Sequence, residues 1–226
     1  MTASLSSPRC LLFDLDGTLI DTAPDLARAT NALRQHHELP PLPYETIRAQ
    51  VSNGGSALVT LALGFTQDHP DHAEARHFLL SAYGKDVAVE SKVFSGLERL
   101  LERWARPPRR WGIVTNKPRI YTEPLLEALS LSPHVLLCAD DLPVKKPSPE
   151  PLWEAARRLE VAPHQCWYIG DHARDMQAAH AAGMTAIAVG YGYIAESEKR
   201  EDWKADCWFD SPSELVDALV TSDEAQ

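Results

Sequence analysis

Cys10-Leu11-Leu12-Phe13-Asp14-Leu15-Asp16-Gly17-Thr18 is the stretch on which the fold of this chain turns. A short apolar run leads into two carboxylates set two residues apart, and in extended backbone such side chains point the same way. Gly17 then lets the chain turn sharply. Like charges held so close repel and raise a pKa unless a cation sits between them. The pair therefore implies a shared proton or a divalent metal, and the metal needs further partners.

Other apolar runs supply them. Trp111-Gly112-Ile113-Val114 runs into Thr115-Asn116, Trp167-Tyr168-Ile169 runs into Gly170-Asp171, and Lys146-Pro147 follows the segment from Val135 to Ala139. Short apolar runs bounded by turn residues read as buried parallel strands, and open α/β sheets bind ligands at the carboxyl ends of their strands. Acids, a hydroxyl and an ammonium gathered there are the inventory for a phosphoryl group beside Mg²⁺. They provide oxygen ligands for a hard cation and donors for the phosphate oxygens.

The first strand is expected to end at Asp16, yet the next strand-like run begins only at Trp111. Between them the spacing predicts helices over Ala23–His37, Tyr44–Val51, Ser56–Leu63 and Asp71–Asp86, with Pro40, Pro41 and Pro43 separating the first two. An all-helical block placed straight after such a strand reads as an inserted cap covering residues 20–94, with hinges near Leu19–Thr22 and Val93–Gly96. Residues 1–19 and 95–226 then form the core. From Gly96 onward strands alternate with helices, which means βαβ crossovers and a parallel sheet covered on both faces. The expected fold is thus α/β, a Rossmann-like parallel sheet with an inserted helical cap. The tail from Thr221 to Gln226 is expected to fray.

DLDGT, VTN, KP and GDHARD, in that order, resemble the motif set of the haloacid dehalogenase superfamily in its phosphoglycolate-phosphatase-like branch, over Cys10 to about Ser213. The resemblance implies Asp14 as nucleophile and Asp16 as acid/base. It implies Thr115 and Lys146 holding the phosphoryl group, with the Asn116 backbone N–H as a further donor. Asp171 would complete an Mg²⁺ site with Asp14 and the Asp16 carbonyl, and Asp175 would stand behind them. Plainer roles are open to each: Asp16 as an Asp-Gly turn residue, Thr115 as an ordinary strand-end threonine, Asp175 as an acid at a helix N-terminus. Lys145 competes with Lys146, which matches the motif better. Ser52-Asn53-Gly54-Gly55 is either a linker or a turn whose N–H groups approach an anionic substrate, so Asn53, Gly54 and Gly55 are candidate specificity residues.

Tyr191-Gly192-Tyr193-Ile194, Asp202-Trp203, Ala205-Asp206, Val114–Pro118 and Ser91–Phe94 are similar to a subgroup of phosphatases acting on N-acetylmuramic acid 6-phosphate. Phosphoglycolate is the runner-up substrate, and a phosphoglucomutase-like transfer uses the same aspartate pair. Asp16 weighs against dehalogenation, and a phosphonatase would want a Schiff-base lysine in the cap, where Lys85 and Lys92 are candidates only in principle. A receiver module shares the acids, Thr and Lys but carries no large insertion after its first strand.

The 226 residues and 44% hydrophobic content support a substantial core. A formal net charge of −10 argues against nucleic acid and anionic membrane surfaces as partners. The expected partner is a small phosphorylated sugar or acid, bound by a monomer or homodimer through local positive charge. Cys10, Cys138, Cys166 and Cys207 are scattered without metal-ligand spacing, so they read as buried, reduced thiols. No signal peptide or transmembrane run is visible, which points to the cytoplasm. The histidines lack convergent metal spacing and are expected in solvent or turns, with His172, directly after Asp171, the one to watch.

Overall fold

A computed structural model describes residues 7–195 and 198–224. In chain order, β1 (Cys10–Phe13) leads to β2 (Ile20–Asp21), and α1 (Ala23–His36), α2 (Tyr44–Arg48), α3 (Gly55–Leu63) and α4 (His72–Lys85) follow before β3 (Lys92–Val93). Then come α5 (Leu97–Trp104), β4 (Arg110–Val114), α6 (Arg119–Ala128), β5 (Val135–Leu137), α7 (Glu150–Arg158) and β6 (Cys166–Gly170). The chain continues through α8 (Ala173–Ala182), β7 (Thr185–Val189), β8 (Cys207–Phe209) and α9 (Pro212–Glu224).

Six strands form one sheet in the order β5-β4-β1-β6-β7-β8, and all neighbouring pairs are parallel. The fold is α/β of the Rossmann type. Strand alternation sends Leu11 and Phe13 to one apolar layer and Cys10 and Leu12 to the other. After β1 the chain builds outward through β4 and β5, then returns to β6 on the other side of β1. That reversal opens a crevice at the carboxyl ends of the central strands.

β1 ends at Phe13, three residues short of expectation. Asp14 N–H still donates to the Ile169 carbonyl at 2.8 Å, but the Leu15 carbonyl then accepts from Leu19 and Ile20, and the chain curls back. Gly17 stands in that curl at φ +80°, where only glycine is unstrained. A turn, not strand alternation, sets the positions of Asp14 and Asp16. α2 also stops early, at Arg48, and a 3₁₀ turn covers Val51–Asn53.

The two expected hinge regions meet as a ribbon the sequence did not disclose. β2 and β3 pair antiparallel, and Phe94 N–H donates to the Leu19 carbonyl at 3.1 Å. Helices α1–α4 pack on one another with Leu33, Leu58, Val59 and Leu79 buried among them. Their apolar side is continuous with the layer holding Leu11 and Phe13.

Asp25, in the first turn of α1, is fully buried beside this ribbon. Its Oδ2 accepts from Glu90 N, Ser91 N and Ser91 Oγ at 3.0, 2.8 and 2.7 Å, and its Oδ1 accepts from Arg28. Burial raises the carboxyl pKa, but the Ser91 and Arg28 hydrogen bonds outweigh it and hold the group below its ordinary value. Such a carboxylate adds stability above its unfolded pKa and loses it as pH falls through the lower folded value. Asp25→Asn should therefore cost about 1–3 kcal/mol at pH 7 and much less near pH 3, as measured by urea unfolding at both.

The cysteines are free, with Cys10, Cys138 and Cys166 buried and Cys207 half-buried rather than buried. His72 is buried as well, against the expectation of solvent or turn, because its place in the first turn of α4 faces the helical layer. No helix among the described residues is long and apolar enough to cross a membrane. In the tail, residues up to Glu224 continue α9, and Ala225 and Gln226 lie outside the described residues.

Candidate active site

The strand ends converge on one cavity of about 410 Å³, lined among others by Asp14, Asp16, Thr115, Asn116 and Lys146 from the sheet side and by Asn53, Gly54 and Gly55 from the α2–α3 side. Asp14, Asp171 and Asp175 form an acidic cluster, each with a potential ligand atom within 4.8 Å of the others. Lys146 enters this cluster almost wholly buried. Its Nζ lies 2.9 Å from Asp14 Oδ1 and 2.7 Å from Asp175 Oδ1, and donates to Tyr168 Oη at 2.6 Å. Lys145, its competitor, is exposed.

The loop holding Lys146 is fixed from β4. The Asn116 side chain donates to the Lys146 carbonyl at 3.0 Å and accepts from Lys146 N–H at 3.1 Å. Thr115 is buried, its N–H bonded to the Leu137 carbonyl and its Oγ1 accepting from Lys117 N–H.

Asp171 occupies a recess that glycines keep open. A Cβ on Gly17 would come within 2.2 Å of Asp171 Oδ2, and one on Gly192 within 2.2 Å of Asp171 Cβ. The carboxylate accepts from Tyr193 N–H and Ser52 Oγ at 2.8 Å each, and from Thr18 Oγ1 at 3.3 Å. Burial, then the charges of Asp14 and Asp175, push its pKa up to about 7. Asp14 is raised too, by burial first, with Lys146 pulling against it. Burial works against the Lys146 ammonium, yet Asp14 and Asp175 hold it charged, above its ordinary value.

Three carboxylates thus cluster with one ammonium that pairs with two of them, and Asp175 Oδ2 is buried without a hydrogen-bond partner among the described residues. Clustered oxygen donors with excess negative charge suit a hard divalent cation. The residues fit such an ion.

Asp16 stands apart from this cluster with partners of its own. Its Oδ1 accepts from Thr22 Oγ1 at 2.6 Å and from Lys117 Nζ at 2.9 Å. Lys117 is buried beneath the Tyr83 ring, 4.5 Å from its centroid. Burial opposes its charge, but Asp16 and Tyr83 raise its pKa. His172 caps α8, its Nδ1 accepting from Arg174 N–H. Burial and then Arg174 lower its pKa to about 4, so it is neutral at pH 7. Asn53 Oδ1 reaches over to Arg174 Nη2 at 3.3 Å.

Sequence reasoning missed Lys117, Ser52 and Tyr193 as parts of this site. Lys117 lies directly after Thr115-Asn116 and was within reach of the same motif. Ser52 and Tyr193 act through contacts spanning 119 and 22 residues, which no local spacing encodes.

Comparison with known proteins gives a consistent picture. The family model described as haloacid dehalogenase-like hydrolase matches residues 11–189. An N-acetylmuramic acid 6-phosphate phosphatase of Pseudomonas aeruginosa is 39% identical over 213 residues, covering 93% of this chain and 94% of that protein. A phosphoglycolate phosphatase of Xanthomonas campestris is 37% identical over 210 residues, covering 92% and 95%. Among solved structures, a predicted phosphoglycolate phosphatase from Haemophilus somnus superposes with a TM-score of 0.80 at 25% identity, covering 98% of this chain and all of that one.

Proposed function

Since this chain belongs to the haloacid dehalogenase-like hydrolases and is a phosphatase of that type, we propose that it hydrolyses a small phosphomonoester through an aspartyl-phosphate on Asp14. Supporting the reading is one observation above the rest: Lys146 and the acids Asp14, Asp171 and Asp175 meet at the carboxyl ends of central strands, at the edge of a metabolite-sized cavity.

Asp14, Asp171 and the Asp16 carbonyl would hold Mg²⁺, which when bound offsets the repulsion between an anionic phosphate and an attacking carboxylate. Asp14 attacks phosphorus, the ester P–O bond breaks, and Asp16 gives its proton to the departing oxygen. Asp16 then takes a proton from the water that attacks the aspartyl-phosphate, releasing phosphate and restoring Asp14. Thr115, Lys146 and the Asn116 N–H stabilise the phosphoryl oxygens. Asp175 holds Lys146 in place, and Thr22 and Lys117 orient Asp16.

Residues 20–94 serve as a cap over a core of residues 1–19 and 95–226, excluding water during turnover. Ser52 and Asn53 would bring it onto Asp171 and Arg174, and Asn53, Gly54 and Gly55 would contact the leaving group. A cytoplasmic setting suits a small phosphorylated metabolite and the free thiols.

The favoured substrate is N-acetylmuramic acid 6-phosphate. Its support is the 39% identical relative and a cavity within the range of roughly 300–1,000 Å³ that encloses whole metabolites. Phosphoglycolate, the substrate named for the Xanthomonas relative, is the second reading. Phosphate release from both, with Mg²⁺ and with EDTA, decides between them. The expected result is a kcat/KM at least about tenfold higher for the sugar phosphate and loss of both activities in EDTA. A preference for phosphoglycolate would transfer the assignment, and dependence on a sugar bisphosphate would indicate a phosphoglucomutase-like transfer instead.

A further inference from the structure

The α3–α4 wall of the cavity carries a cation that the reaction above does not use. Arg76, on α4, lines the cavity together with Gly54, Gly55 and Ser56 at the start of α3. A Cβ on Gly55 would lie 3.8 Å from Arg76 Nε, so the guanidinium stem stands beside the first turn of that helix. α3 opens on Gly54, which offers no side-chain cap to the first-turn N–H groups.

The only acids lining the cavity among the described residues are Asp14 and Asp16, and each is already paired with a buried lysine, Lys146 and Lys117. No carboxylate among the described residues lies at ion-pair distance from Arg76. In a chain of net charge −10, this wall sets a guanidinium without an ion-pair partner among the described residues beside an uncapped helix start. Both are donors, and together they match an oxyanion.

We propose that Arg76, beside the start of α3, forms a second oxyanion subsite that selects phosphomonoesters bearing a further acidic group on the leaving alcohol, a carboxylate or a second phosphate. The subsite rests on the hydrolase reading and adds a residue, Arg76, that determines specificity. Its guanidinium binds the remote anion while the phosphoryl group lies against Asp14 and Lys146, so one substrate spans the cavity.

The test compares wild type with Arg76→Gln, an exposed position where substitution leaves packing intact. Two matched pairs serve as substrates. N-acetylmuramic acid 6-phosphate and N-acetylglucosamine 6-phosphate differ by a carboxylate-bearing ether, and glucose 1,6-bisphosphate and glucose 6-phosphate differ by a phosphate. The expected result is that the acid-to-neutral ratio of kcat/KM falls roughly 10- to 100-fold in the variant, the scale of one charged hydrogen bond, mainly through KM. The pair whose ratio collapses identifies the anion. Ratios unchanged in both pairs would overturn the subsite while leaving the hydrolase standing. Should none of the four be hydrolysed, the favoured substrate falls while the phosphatase class stands, and calorimetric binding to the Asp14→Asn protein with and without Arg76→Gln decides the subsite alone. Arg76-dependent binding of an acidic member sustains it, and equal binding overturns it.

Discussion

Asp14→Asn should yield a folded protein whose phosphate release is slower by at least about 10⁴-fold, the scale seen when a covalent nucleophile is removed. The amide is isosteric, so the turn from Asp14 to Ile20 and the bond to the Ile169 carbonyl survive. It is also a far weaker nucleophile than a carboxylate. The same change removes one of three clustered carboxylates, of which two pair with a single buried lysine. Like-charge repulsion in the cluster therefore falls, and the melting temperature measured in EDTA should hold or rise. Lost activity with unchanged or higher stability separates a chemical role from a structural one. A variant retaining near-normal turnover, or one that loses activity only because it unfolds, would count against Asp14 as nucleophile.

Lys146→Met should be the most destabilising single substitution in the site. The side chain is 1% exposed and stands within 2.9 Å of Asp14 and 2.7 Å of Asp175. Methionine preserves much of the shape, but Asp14 and Asp175 are left without their counter-charge. Breaking a buried ion pair from one side costs about 3–5 kcal/mol. Urea unfolding in EDTA should show a loss of that order, and Lys146→Met combined with Asp175→Asn should recover part of it, because the partners are coupled. A loss under about 1 kcal/mol would mean that the cluster is already neutralised by other means. Activity of the single variant should also fall steeply, since the proposed phosphoryl contact goes with the ammonium.

Much of the sheet was legible because its strands are short apolar runs closed by turn residues. Arg110–Val114 and Cys166–Gly170 begin and end within one residue of the apolar runs Trp111–Val114 and Trp167–Ile169, and Val135–Leu137 lies inside the segment from Val135 to Ala139. The residues picked from strand ends, Asp14, Asp16, Thr115, Asn116 and Lys146, line one cavity, and Asp171 and Asp175 lie with Asp14 in one cluster. A parallel sheet explains this: every strand delivers its carboxyl end to the same edge. What stayed hidden depends on tertiary approach. The β2–β3 ribbon is two residues per strand, too short to show a period. Asp25 looks like a helix N-terminal acid until Ser91 arrives from 66 residues away. Lys117 reads as a loop lysine until Tyr83 covers it and Asp16 pairs with it.

The central claim is that phosphate passes through the Asp14 carboxylate. Protein mixed briefly with excess phosphomonoester and Mg²⁺, quenched with borohydride and digested should carry homoserine at position 14, the product of reducing an aspartyl-phosphate, with position 16 unmodified. Reduction found at another residue, or none during turnover that demonstrably releases phosphate, would contradict the mechanism.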